Sequence, residues 1–266
     1  MFVRKDLTYE VNPNTLDYIL DDPANPLKNI ATIINQKSKV LDIGAGSGIL
    51  PLLLNKINKE VVIDGIEPSK YASNIASKYY RNFYCDYSEN CIELIKQENY
   101  DYIIMADLIE HVSDPLDFLK NLTNCISNTT RLVISTPNVS FGAVRCALLH
   151  GEFNYVDSGL LEKTHLRFFT LKTLNEMFDI LKINKEKIFY LQRPLENVEF
   201  DLSKYKIDPI LYNKILDDQL ASVYQFLFVL TKQSPVNIQD IESFMGEKSE
   251  KKKINVIQKI RSYINA

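Results

Sequence analysis

Residues Val40 to Leu50 read VLDIGAGSGIL, an apolar β-type run that ends in Gly44, Gly46 and Gly48 and turns directly into a helix. Leu50, Leu53, Leu54 and Ile57 then recur at helical spacing, with Pro51 early enough to be tolerated in the first turn. Glycines at such a turn let the backbone approach a ligand closely, and the unpaired N–H groups of a helix start favour an anionic group. The G-x-G-x-G spacing departs from the G-x-G-x-x-G of dinucleotide-binding turns, because Ile49 stands where the third glycine belongs. This argues against a nicotinamide dinucleotide. A tight turn with no ligand is the plainer alternative, and the residues downstream weigh against it.

On either side of this stretch, short apolar runs alternate with longer amphipathic stretches, the pattern of a mostly parallel sheet with helical crossovers. KVLDIGA (39–45), VVIDGIE (61–67), NFYCD (82–86), YDYIIMA (100–106) and RLVISTP (131–137) read as five strands. IFYLQ (188–192) and VYQFLFVLT (223–231) read as two more, with residues 193–222 as an insertion carrying one short helix. Asp114-Pro115 is an N-cap followed by proline at the first helical position, and the helix it launches turns Leu116, Leu119, Leu122 and Ile126 inward. Residues 138–159 read as loop, and a helix from about Leu171 to Leu181 starts at a Thr170 or Thr173 cap. The chain thus divides into an N-terminal cap segment (1–30), a main domain (31–232) and a polar linker with a basic helix (233–266).

Several of these strands end in a residue able to hold a ligand. Glu67 lies about 20 residues past the glycine turn, where a carboxylate can accept hydrogen bonds from ribose hydroxyls. Asp86 closes the third strand beside Tyr87, placed to receive an exocyclic amine, and Asp107 opens DLIEHVSDP after the fourth. Each acid alone reads as a solvated strand end. Together, on the carboxyl edge of one sheet, they mark a ligand crevice.

Composition removes several classes. Of 266 residues, 45% are hydrophobic and 24% charged, so the chain is not globally disordered. Lys plus Arg total 31 against 34 for Asp plus Glu, a net charge of -3 that gives nucleic acid no overall attraction. No apolar run reaches the ~18 residues of a membrane span, and MFVRKDLTYE lacks a signal-peptide core, so a cytoplasmic location without stable membrane insertion is expected. Cys85, Cys91, Cys125 and Cys146 show no metal or redox spacing, and His111, His150 and His165 are scattered, so no metal site is expected.

VLDIGAGSG, IDGIEPS and YDYIIMADLIEHVSDP together resemble the glycine, acidic and fourth-strand motifs of the class I S-adenosylmethionine-dependent methyltransferases, with E-H-V as in the ubiquinone-biosynthesis-like branch. The resemblance spans about residues 25–232. It implies a doubly wound, Rossmann-like α/β fold whose seven-stranded sheet is mostly parallel with the last strand antiparallel. It also implies S-adenosylmethionine as cofactor and S-adenosylhomocysteine as product. By position, Asp42, Gly44 and Gly46 should face the methionine part, Glu67 the ribose, Cys85, Asp86 and Tyr87 the adenine, and Asp107 and Leu108 the floor near the sulfonium. Asp107-Leu-Ile-Glu110 replaces the N-P-P-Y of the DNA and protein amino-methylating branches, which argues against adenine or amide nitrogen as acceptor.

Ser135 to Leu174 further resembles methyltransferases of bacterial surface-polysaccharide synthesis through P-N-V, L-x-x-G-x-F-x-Y and T-H-x-R-F-F-T elements. Asn138, Arg145, Tyr155 and Arg167 are the candidate acceptor-binding residues of this segment (about 138–170). His165 is the first candidate base and His111 the second; either has an alternative structural reading. The expected function is O-methylation of a small, phosphorylated or nucleotide-activated polysaccharide building block, at a sugar hydroxyl or at a phosphoryl oxygen such as that of a phosphoramidate. The alternatives are a lipid or quinone acceptor at a membrane surface and a non-catalytic cofactor-binding module. A small-molecule partner is expected, with homo-oligomer formation left open.

Overall fold

The computed structural model describes residues 13–196, 198–233 and 241–245. The elements run α1 (Pro13–Asp21), α2 (Pro26–Ile33), β1 (Lys39–Ile43), α3 (Ile49–Lys56), β2 (Val62–Ile66), α4 (Lys70–Ala76), β3 (Phe83–Tyr84), α5 (Ile92–Gln97), β4 (Tyr102–Ala106), α6 (Pro115–Cys125) and β5 (Arg131–Pro137). They continue through α7 (Gly142–Leu149), α8 (Leu171–Ile180), β6 (Asn184–Gln192), α9 (Pro209–Leu216), β7 (Val223–Thr231) and β8 (Ile241–Met245). All the strands form one sheet in the order β3-β2-β1-β4-β5-β7-β6-β8. Pairing is parallel except at β7, which runs antiparallel to both β5 and β6. The seven expected strands are present with the expected orientation, and β8 adds an eighth at the β6 edge.

The strands are apolar on both faces because helices cover both. Along β4, Ile103 and Met105 enter one core with Leu41, Ile43, Leu132 and Ile134, while Tyr102 and Ile104 enter the other with Val40, Val133 and Val229. Each such side chain contributes roughly 1.5–3 kcal/mol by leaving water. The strand order reverses direction between β1 and β4, so the loops after these two strands diverge to opposite sides and open a crevice at their carboxyl ends.

Three boundaries differ from the sequence reading. Residues 142–149 are helical, because Ala143, Val144, Cys146 and Ala147 bury one face of a short helix whose length is too small for periodicity to declare. β3 holds only Phe83 and Tyr84, paired with Gly65 and Ile66, so Cys85 and Asp86 belong to the loop beyond it. The supposed linker contains β8, whose Phe244 stacks on Phe189 at 5.9 Å. The N-terminal segment is continuous with the domain, since α1 and α2 pack on α3. The basic helix expected within the 233–266 segment, in KKKINVIQKIRSYINA (251–266), lies outside the described residues.

Candidate active site

The glycine turn adopts the backbone that its residues permit. Gly44, Gly46 and Gly48 have φ of 77°, 52° and 80°, the left-handed region that L side chains enter at a cost. A Cβ on Gly48 would lie 3.1 Å from the Tyr79 ring and 3.3 Å from Ala76, which is why the turn can pack on α4. At Gly46 the same construction meets nothing within 4 Å. The open side of the loop is therefore at Gly46, and an elongated ligand can lie against its backbone there.

Glu67 faces this opening from the end of β2. Its Oε2 accepts from Gly46 N–H at 3.0 Å and its Oε1 from Ser69 N–H at 2.9 Å, so the carboxylate is held in place with lone pairs left for hydroxyl donors. It also staples the glycine loop to β2, a second role that motif reading does not reveal. Asp42 lies beneath the loop, 4% exposed, with Tyr80 Oη donating to it at 2.7 Å. Burial pushes its carboxyl up to about 7, against the pull of the Tyr80 hydrogen bond, and the Glu67 charge adds to the rise. Asp42 therefore supports the loop from below.

At the far end of the crevice Cys85, Asp86 and Tyr87 are exposed. Asp86 Oδ1 accepts from Tyr87 N–H at 2.8 Å and Asn90 Nδ2 at 2.7 Å, which orients the carboxylate without burying it. A glycine loop open at Gly46, an oriented Glu67 and an exposed aromatic with an oriented acid match the successive parts of S-adenosylmethionine. These residues fit that cofactor.

Across the crevice, β4 ends in a strained turn. Asp107 has φ 50°, and its N–H donates to Ser135 Oγ at 3.0 Å while Ser135 Oγ donates to Asp107 Oδ1 at 2.6 Å. Gln225 Nε2 reaches Oδ1 from β7 at 3.1 Å. Burial raises the Asp107 carboxyl, while the hydrogen bonds from Ser135 and Gln225, and the nearby His165, pull it back. Leu108 turns toward Gly44 so closely that a Cβ there would stand 3.0 Å from it. Asp107 and Leu108 thus join the cofactor crevice to what lies beyond.

Beyond is a cavity of about 290 Å³ lined by Asp107, Glu110, His111, Glu162 and His165, with Tyr224 and Gln225 from β7. Glu110 is 1% exposed; its Oε2 accepts from Thr136 Oγ1 at 3.0 Å, and its Oε1 is buried without a partner. Burial, reinforced by the Asp107 charge, pushes its carboxyl well above the usual range. His165 Nδ1 is 3.0 Å from Leu160 O and His111 Nδ1 is 3.1 Å from Thr164 O. Because a carbonyl only accepts, each Nδ1 carries the proton and Nε2 is the basic nitrogen. The two rings meet edge to face at 4.8 Å. Glu110, His111 and His165 each bring a ligand atom to within 4.8 Å of the others, close enough for one cation to touch all three. Their separation along the chain, on which the expectation of no metal site rested, is no guide to their separation in space.

The other wall candidates are spent elsewhere. Asn138 is fully buried, donating from Nδ2 to Val223 O at 2.8 Å and accepting from Ser140 N–H at 3.0 Å, so it fastens the segment to β7. Arg145 pairs with Asp218 at 2.6 Å and donates to the Ser140 carbonyl. Arg167 is exposed, with its guanidinium on the carbonyls of Leu166 and Ser113. Tyr155 is half exposed and packs on Phe153 and Phe168. None of the four lines the cavity. The segment is instead positioned by its backbone: Val139 N–H donates to Phe169 O at 2.9 Å, and Leu166 and Arg167 N–H both donate to Glu110 O. Glu110, Glu162, Tyr224 and Gln225 were not singled out from sequence. An acid followed directly by histidine after a strand was the one available signal, for Glu110.

A methyltransferase-domain family model matches residues 18–180. The ubiquinone biosynthesis O-methyltransferase of Coxiella burnetii (strain RSA 331 / Henzerling II) is 30% identical over 188 residues, 67% of this chain and 77% of that protein. The protein of the same name from Bradyrhizobium diazoefficiens is 28% identical over 152 residues, 54% of this chain, and the match spans 58% of that relative's length. Among solved structures, a SAM-dependent methyltransferase from Archaeoglobus fulgidus aligns with TM-score 0.52 at 16% identity, covering 79% of this chain and 92% of that one. The plantazolicin methyltransferase BamL, solved in complex with a triazolic desmethylPZN analog and SAH, aligns with TM-score 0.51 at 14% identity, covering 83% of this chain and 84% of that one. With the family model over more than half its length, the glycine turn and Glu67 in register and the sheet order in place, the chain belongs to the class I S-adenosylmethionine-dependent methyltransferases.

Proposed function

We propose that the protein is an S-adenosylmethionine-dependent O-methyltransferase that takes a small hydroxyl-bearing acceptor in the cavity beside Asp107. The observation that carries this reading is the continuity of the crevice: Leu108 touches the glycine turn on one side, and Asp107 lines the acceptor cavity on the other. When bound, S-adenosylmethionine supplies a methyl group on a sulfonium, open to direct displacement by an oxygen nucleophile. Gly46 and Glu67 hold its amino-acid and ribose parts, and Asp86 and Tyr87 its adenine. His165, with its proton fixed on Nδ1, is the group to take the acceptor's hydroxyl proton at Nε2, with His111 as its neighbour. A buried cluster of this kind speaks against a non-catalytic binding module.

The relatives' names point to a quinone-precursor hydroxyl, whereas the 135–174 resemblance points to a surface-polysaccharide sugar. Both are hydroxyl acceptors. A phosphorylated acceptor loses support, because Arg145 and Arg167, which would have held the phosphate, are bonded elsewhere. No helix among the described residues is long and apolar enough to cross a membrane. The test incubates the full chain with S-adenosylmethionine and panels of sugars, nucleotide-linked sugars and catechols, and looks by mass spectrometry for a product heavier by one methylene. His165→Gln should lower kcat by about 10²–10⁴ while cofactor affinity survives. Full turnover in that variant rules out His165 as base, and no product from any hydroxyl compound counts against the O-methyltransferase reading.

A further inference from the structure

The acceptor cavity is unusual in its charge. Three carboxyl groups line it, those of Asp107, Glu110 and Glu162, and among its described lining residues there is neither Lys nor Arg. Glu110 Oε1 is buried and unpartnered, an arrangement that costs free energy unless a ligand meets it. Ser135 and Gln225 both donate to Oδ1 of Asp107, whose carboxylate also lines the cavity. Tyr224, whose hydroxyl belongs to the wall, points its donor away, to Glu199 at 3.0 Å. Gln225 spends an amide N–H on Asp107. The wall thus offers acceptors in excess of donors.

Resting on the O-methyltransferase reading, we propose that the acceptor carries a protonated amine close to the hydroxyl that is methylated, and that Glu110 and Asp107 hold this ammonium. An ammonium brings three N–H donors and a positive charge to a site with one unmet buried carboxylate oxygen, that of Glu110, beside the Asp107 carboxylate. An anionic group gains nothing here and meets like charge. The cavity, at about 290 Å³, suits the reacting end of an amino sugar or small amino alcohol.

The experiment uses the full chain saturated with S-adenosylhomocysteine, and saturation-transfer NMR with calorimetry. The probes are glucosamine and a set of small amino alcohols, each beside its N-acetyl counterpart, with glucose 6-phosphate and Mn²⁺ as separate arms. The amines should bind about tenfold or more tightly than their N-acetyl forms, and glucose 6-phosphate should not compete. Glu110→Gln should abolish the preference while S-adenosylhomocysteine still binds; Glu162→Gln, at a half-buried position, gives a second readout if the first variant does not fold. Equal binding of amine and amide, preference for the phosphate, no binding by any amine, or Mn²⁺ bound at this cluster in place of the amines would each overturn the proposal. If S-adenosylhomocysteine itself fails to bind, the methyltransferase reading fails first, so the two failures are distinguishable.

Discussion

Asp42→Asn isolates the cost of keeping an acid beneath the glycine loop. Its carboxyl rises from an ordinary 3.8 to about 7, chiefly through burial, so the native state holds a proton that the unfolded chain has released. Stability from this group therefore falls as pH climbs from about 4 to about 7, the unfolded state binding fewer protons across that window. A shift of this size corresponds to roughly 4 kcal/mol when the group is fully ionised. Asparagine keeps an oxygen for the Tyr80 hydroxyl and does not titrate. Its own fixed cost cancels when the same variant is compared at two pH values. Urea unfolding of both proteins should show the variant gaining roughly 2–3 kcal/mol on the wild type between about pH 5 and about pH 8. A difference that stays flat with pH, or that moves the other way, would contradict a buried, protonated Asp42 and place an ionised Asp42 in a solvated or cation-paired setting.

Two further substitutions separate packing from ligand contact. Gly46→Ala and Gly48→Ala each cost about 1–2 kcal/mol for the left-handed backbone. Gly48→Ala should melt lower still, because its methyl meets Ala76 and Tyr79, while Gly46→Ala should lose more S-adenosylhomocysteine affinity, because its methyl occupies the open side. Asn138→Ala should destabilise the fold by about 1–3 kcal/mol in denaturant unfolding, since it strands the Val223 carbonyl, and should leave the acceptor KM near its wild-type value.

The cofactor half of the site is legible in sequence because its elements are local. A glycine turn is written in consecutive residues, and Glu67 and Asp107 fall at strand ends that apolar runs announce. The acceptor half is assembled across distance: Glu110 follows β4, His165 lies in the long segment after β5, and Gln225 comes from β7. Nothing in the spacing of these three predicts that they share a cavity. Polarity misled where backbone needs consumed it, as with Asn138 bonding to β7 and Arg145 bonding to Asp218. The eighth strand escaped notice because IESFM is short and set in a charged tail, where pairing with β6, not propensity, makes it a strand.

On the reading proposed above, Glu67 and the glycine turn bind S-adenosylmethionine. Calorimetric titration of S-adenosylhomocysteine into the full chain and into its Glu67→Ala variant tests it. The variant loses the Gly46 staple and the proposed ribose contact, so affinity should fall by at least the 1.5–3 kcal/mol typical of a charged hydrogen bond, about tenfold to over a hundredfold. No binding to the wild type, equal affinity in the variant, or tighter binding of NAD would contradict the account.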